Sequence, residues 1–185
     1  MQHETDRLII REFEMSDWTA VHRYGADLNI MKYAIYHANS ETDTRNFVMR
    51  AMESAEEEPR TEFERAVVLR DSPDTLIGGC GFSLEDENDR EWRIGYCFHS
   101  DFWGNGYGTE VCKSLLQFGF RDCGAHRVSA VCDIENIGSI RVLEKSGLVR
   151  EGRFREKSWG LGEWHDELQY AMLDSQWHEN QSSPS

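Results

Sequence analysis

Between residues 63 and 99 three strand patterns follow one another with no helix between them, and this succession limits the fold more than any other feature. "FERAVVLRD" (63–71) and "LIGGCGFSLED" (76–86) flank the turn sequence "SPDT", which predicts an antiparallel hairpin. "EWRIGYCFH" (91–99) then alternates Trp92, Ile94, Tyr96 and Phe98 against Arg93, Gly95 and Cys97, the period of a third strand. Gly95 inside that strand predicts a bulge or a close backbone approach. A nucleotide-binding domain of Rossmann type needs strands alternating with helices. The meander denies it.

Other elements surround these strands. "DRLIIREF" (6–13) alternates as a strand, and Ser16 is placed to cap the helix after it. Residues 40–58 read as a helix capped by Ser40 or Thr42, with Phe47, Ala51 and Met52 on one face and Pro59 at its end. Val111, Cys112, Leu115, Leu116 and Phe120 have helical spacing over 109–120. "HRVSAVCDI" (126–134) returns as a strand, "NIGSIRVLEKSG" (136–147) is a short helix closed by Gly147, and "EWHDELQYAML" (163–173) is the last strand. A chain of 185 residues suggests one domain with a real core, here 1–175, followed by a frayed polar tail at 176–185.

Composition narrows the function. The chain is 39% hydrophobic and 29% charged, without an apolar run of membrane-span length. Its opening, "MQHETDRLII", lacks the basic and apolar regions of a signal peptide, so a cytoplasmic protein with no membrane partner is expected. Cys80, Cys97, Cys112, Cys123 and Cys132 are odd in number, lie in apolar patterns and form no C-x-x-C, which predicts reduced, buried thiols and no metal site. A net charge of -14 opposes nucleic acid and favours a cationic substrate or simply good solubility. Residues 52–65 are net acidic, whereas Arg141, Lys145, Arg150, Arg153, Arg155 and Lys157 gather in one segment. A polyanion would bind beside the second.

"FWGNGYGTEV" (102–111) sets three glycines at alternate positions before a helix. It has no Lys before a Ser or Thr, as a P-loop requires, and it follows a meander rather than opening a parallel unit. The alternatives are a tight turn or an anion site of backbone amides at a helix start, suited to a pyrophosphate.

Four stretches occur in order: "DRLIIREF", "RIGYCFHSDFWGNGYGTEV", "ENIGSIRVLEKSGLVREGRFRE" and "GEWHDELQYAML". From Thr5 to about Leu173 the chain thereby resembles the GNAT superfamily of acyl-CoA N-acyltransferases, within it the RimJ/RimL-like branch of ribosomal-protein N-acetyltransferases. The resemblance implies an α+β fold, a central, mostly antiparallel twisted sheet of six to seven strands flanked by about four helices. It also implies acetyl-CoA as cosubstrate and direct attack by a primary amine, foremost a protein N-terminal α-amine. A small amine (polyamine, amino acid or antibiotic) and a non-catalytic acyl-CoA-binding module are the alternatives, and the assembly is a monomer or a homodimer.

The family loop R/Q-x-x-G-x-G/A falls on 103–108, with Trp103 in place of Arg or Gln. By resemblance Trp103, Gly104, Asn105, Gly106, Tyr107, Gly108 and Thr109 hold the pyrophosphate, and the backbone of Cys97 and Phe98 pairs with pantetheine. Asn136 and Ser139 match the branch's N-x-x-S beside the cofactor, and Arg141 and Lys145, one turn apart, are placed for phosphates or as a surface pair with Glu144. Leu143 stands where the superfamily often has a Tyr, so Ser139 is the candidate to assist the departing thiolate, or else a helix cap. Arg93 stands where many relatives carry Glu, which leaves Glu91 as candidate general base, with Glu135, Glu156 and Asp166 as rivals. A bulge at 95–98 would supply an N–H for the oxyanion, and Trp18, Trp92, Trp159 and Trp164 are candidate walls of an acceptor pocket or core residues.

Overall fold

The computed structural model describes residues 3–33, 39–160 and 162–182. Among them are eight strands: β1 (His3–Glu4), β2 (Leu8–Glu12), β3 (Glu62–Leu69), β4 (Ser72–Asp86), β5 (Glu91–Phe98), β6 (Arg127–Asp133), β7 (Val149–Gly160) and β8 (Glu163–Leu173). The helices are α1 (Trp18–Gly25), α2 (Leu28–Met31), α3 (Glu41–Ser54), α4 (Tyr107–Arg121), α5 (Ile137–Lys145) and α6 (Asp174–Ser182).

The strands form a single sheet in the order β1-β2-β3-β4-β5-β6-β8-β7. Every neighbouring pair is antiparallel except β5 and β6. The α+β class holds, with a sheet larger than expected by the two edge strands, β1 and β7. The sequence of β7, "VREGRFREKSWG", lacks the apolar alternation of a half-buried strand because most of its residues are exposed at the sheet edge.

The sheet buries both faces. On one, Leu115 and Leu116 of α4 and Leu143 of α5 pack on Ile10, Val67, Phe82, Trp92 and Val128. Phe82 and Trp92 stack with centroids 4.6 Å apart. Gly119 of α4 admits them, since a Cβ there would sit 2.7 Å from the Phe82 ring. On the other face Val21 and Tyr24 of α1, and Val48 and Ala51 of α3, cover Phe13 and Ala66. Strand alternation divides β5 between the two, with Ile94 and Phe98 facing α4 and Cys97 facing α1.

Several local expectations need correction. Ser16 is not the cap of α1: it lies in a 3-10 turn, Met15–Asp17, closed by reciprocal bonds between Glu14 and Asp17. Ser40 does cap α3, in a capping box with Asp43, but the helix stops at Ser54, before Pro59. The β3–β4 turn falls before "SPDT", whose residues belong to β4, and the register shift sits at Val67–Leu69. Gly95 makes no bulge, because pairing with β4 is regular from Gly78↔Phe98 to Leu84↔Trp92. Residues 176–182 are helical rather than frayed, and Trp177 is buried with its ring 5.6 Å from Phe120.

Candidate active site between two parting strands

The parallel pair carries the main consequence of the topology. β5 and β6 are in register only at Glu91↔Arg127, Trp92↔Val128 and Arg93↔Ser129, after which they part. The His99 N–H donates to the Ile77 carbonyl at 2.9 Å, and a Cβ on Gly78 would lie 2.3 Å from the Cys97 oxygen. Cys97 therefore turns its carbonyl to β4, and alternation turns the backbone of Tyr96 and Phe98 toward the opening. The Phe98 carbonyl accepts there from Trp103 Nε1 at 2.9 Å. The expected bulge is thus replaced by a split, which frees backbone groups without disturbing the β4 pairing. α4 follows β5 and α5 follows β6, so two helix N-termini stand beyond the strand ends, as in other crevices between parting parallel strands.

The glycine loop closes one side of this mouth. Gly104 and Gly106 have φ of 78° and 82°, a left-handed backbone that a side chain would strain. Gly106 is also the N-cap of α4, so no side chain spends the first N–H groups of that helix. The loop is braced from behind by Arg7, whose Nη1 donates to the Asn105 carbonyl at 2.9 Å and whose guanidinium lies 4.6 Å from the Tyr107 ring. Glu110 of α4 accepts from Arg7 Nε at 2.8 Å and from the Thr5 hydroxyl at 2.6 Å. Burial works against its charge, but these bonds hold its carboxyl below the usual range. Thr109, just before it, is half-buried. Gly108 serves a different purpose: a Cβ there would meet Val142 at 3.0 Å, so this glycine lets α4 and α5 pack closely.

On the opposite side Asn136 is the cap of α5, its side-chain oxygen accepting from the Ser139 N–H at 2.9 Å. This removes the cap reading of Ser139 and leaves its hydroxyl for other work. That hydroxyl lies 3.0 Å from Tyr96 Oη, which reaches across from β5. Burial pushes the Tyr96 phenol well above its ordinary pKa, so it stays a neutral donor. Burial likewise raises the Cys132 thiol, to about 11, against a hydrogen bond with Ser139. Leu143 is fully buried in the core. Tyr96 was legible in the sequence only as an alternating strand residue. Arg141 and Lys145 are exposed and make no ion pair among the described residues. Glu144 instead accepts from the Tyr170 hydroxyl at 3.2 Å.

The candidate bases do not join this group. Glu91 lies at the closed end of the split, where Arg127 bonds it at 3.1 Å and also binds Glu151. A carboxylate so held is poorly placed to take a proton at the mouth. Asp166 is occupied by the Glu156 N–H at 2.7 Å and by Arg153, and both hold its carboxyl below the usual range. Glu135 and Glu156 are exposed. Nor do the tryptophans form one wall. Trp92 is core, Trp18 lies under the Arg45 guanidinium at 3.3 Å, and Trp159 and Trp164 are an exposed pair beside the β7–β8 turn.

A mixed sheet split at one parallel pair, with a glycine loop leading into a helix at the mouth, defines an acyl-CoA N-acyltransferase fold. The chain belongs to the acetyltransferase (GNAT) domain family, whose sequence pattern matches residues 7–149. It is 38% identical over 179 residues to the uncharacterized N-acetyltransferase YnaD of Bacillus subtilis (strain 168), a match covering 96% of this chain and 100% of that one. The ribosomal-protein-S5-alanine acetyltransferase of Vibrio fischeri superposes with a TM-score of 0.83 at 19% identity, over 96% and 98% of the two chains. Spermidine N-acetyltransferase from Vibrio cholerae, in complex with CoA and spermine, gives 0.81 at 19%, over 94% and 99%. These two share the fold. The protein is an N-acetyltransferase that uses acetyl-CoA.

Proposed function

We propose that the enzyme acetylates the α-amine of a protein N-terminus. The observation that carries this reading is the open face of β5 at Gly95. Gly95 is exposed, nothing lies within 4 Å of where its Cβ would be, and its partner on β4 is also a glycine, Gly81. A polypeptide end can therefore lie flat against the strand and bring its terminal nitrogen to the split. The acidic charge of 52–65 and the net charge of -14 favour a cationic end.

On this reading the amides of 103–109 and the start of α4 bind the pyrophosphate, with Arg141 and Lys145 beside it. Pantetheine lies along β5 at Phe98, and the Tyr96 or Phe98 N–H faces the oxyanion. Cys97 lines the far face, its carbonyl being turned to β4. Asn136 holds the first turn of α5, so that Ser139, with Tyr96, meets the sulfur. An α-amine, with a pKa of about 8, needs less help to lose its proton than a lysine at about 10.4. Competition between a peptide with a free N-terminal alanine and spermidine, read as thiol release from acetyl-CoA, tests the choice. Preference for the peptide supports it, and preference for spermidine replaces it with a polyamine acceptor.

A further inference from the structure

Glu64 lies on β3 opposite Gly81 of β4, and Gly81 lies opposite Gly95 of β5, so the three residues form one row across the sheet. The Glu64 side chain crosses onto β4. A Cβ added to Gly81 would meet its Oε1 at 2.7 Å and its Oε2 at 3.2 Å, so the carboxylate fills the space that glycine vacates. β5 is the next strand, about 4.8 Å further across the sheet, and the split lies just beyond it. The row is on the α1 side, as Ala66, two residues along β3, packs with Val21 and Tyr24. It is thus the face from which an acceptor reaches Gly95.

Among the described residues no cation pairs with this half-buried carboxylate and no donor bonds to it. Tyr24 of α1 and Cys97 of β5 face the same region, and burial raises the pKa of both, so they stay uncharged. Arg93 is drawn away to Glu85 at 2.7 Å, and Arg65 points to the other face and pairs with Glu12 at 3.3 Å. Glu62, two residues along β3, adds repulsion. Burial first, and Glu62 second, push the Glu64 carboxyl up to about 7.

We propose that Glu64 is the general base of acetyl transfer, standing across the glycine row from the incoming amine. The acceptor's ammonium enters over Gly95, beside the carboxylate that fills the space over Gly81, and gives one proton to Glu64, directly or through one water. The neutral nitrogen then forms its bond to the thioester carbon. The tetrahedral intermediate loses the carbon–sulfur bond, and the remaining extra proton on nitrogen leaves with the thiolate, giving amide and CoA thiol. Glu64 returns its proton to solvent. A base near neutrality suits an α-amine, because it is largely ionised at the pH where the amine is still mostly ammonium.

The inference rests on the reading of the enzyme as an amine acetyltransferase, and the two fail differently. The test is kcat/KM against pH for the wild type, Glu64→Gln and Glu64→Asp, with acetyl-CoA and both a peptide bearing a free N-terminal alanine and spermidine as acceptors. The wild type is expected to show an acid limb near pH 7. Glu64→Gln should lose that limb and fall tenfold or more in kcat at pH 7, with unchanged CoA affinity and melting no lower. Glu64→Asp should keep a limb and part of the rate. An active wild type matched by Glu64→Gln in rate and profile overturns the proposal alone, as does a change confined to KM. Absence of transfer by the wild type to any amine overturns the amine-transfer reading and the proposal with it.

Discussion

Tyr96 of β5 and Ser139 of α5 bring their hydroxyls to within 3.0 Å of one another across the opening between β5 and β6. The pair ties the first turn of a helix to a strand that has lost its neighbour, and it presents two neutral donors where a thiolate would depart. On the proposed reading the phenol comes from Tyr96, since Leu143 is buried in the core and carries no hydroxyl. A donor matters most where charge develops during the reaction, because only an interaction that strengthens in the transition state raises the rate.

Ser139→Ala should therefore act on turnover rather than on stability. Asn136 remains the cap, so the loss of about 1 kcal/mol expected for a missing N-cap should not occur. Turnover should fall on the order of tenfold, with CoA affinity little changed. Tyr96→Phe should do likewise, and the double variant should lose less than the two effects combined, as the hydroxyls act as a unit. A thioester with a more acidic thiol should recover part of the rate. Full turnover with a lower melting temperature would remove Ser139 from the chemistry.

Gly106 and Gly108 should fail in different ways. Gly106→Val forces a β-branched residue to φ of 82° and shifts the loop, so the KM for acetyl-CoA should rise severalfold or more. Gly108→Val drives a side chain into Val142, 3.0 Å from the added Cβ, and should lower the melting temperature by wedging α4 from α5. Steady-state kinetics and thermal unfolding on the two variants separate the roles. A KM unchanged in Gly106→Val would make the loop an ordinary turn.

The exposed pair Arg141 and Lys145 should contribute to coenzyme binding through charge alone. Each alanine variant should weaken CoA binding severalfold at low salt, with the difference shrinking as ionic strength rises. CoA should raise the melting temperature of the wild type much more than NAD or ATP does, because a ligand bound only by the folded state stabilises it by mass action. Calorimetric titration at two salt concentrations measures the first effect, and a thermal shift series the second.

The sequence made much of this legible because meander, glycine loop and the helix after it are local patterns. Strand β8 falls at Glu163–Leu173, where the sequence predicts the last strand, and Gly147 has the positive φ expected of a helix-closing glycine. Strand β7 escaped because an exposed edge strand carries no apolar period, and α6 escaped because a single buried Trp177 anchors an otherwise polar helix. The candidate site is legible in sequence where local backbone geometry would make it, at the loop, and illegible where side chains from distant strands meet. Glu64 and Gly95 are 31 positions apart in the chain, and only the register through Gly81 sets them in one row. Glu91 is near the family position in sequence, yet the split opens away from it.

Glu64 also predicts how stability depends on pH. Its ordinary value is 4.5 and burial raises it to about 7 in the folded chain. Between those values the folded protein holds a proton that the unfolded chain has released, so this group removes stability as pH rises through the window. Above that window the ionised carboxylate costs on the order of 3 kcal/mol, since each pH step across it is worth roughly 1.4 kcal/mol. Glutamine stays neutral throughout. Glu64→Gln should therefore gain on the wild type progressively from pH 5 to pH 8, reaching a melting temperature several degrees higher at the upper end, while it loses activity over the same range. Denaturant unfolding of both proteins at pH 5 and pH 8 measures the difference, and a gap that is the same at both would place the Glu64 carboxyl back in the ordinary carboxylate range.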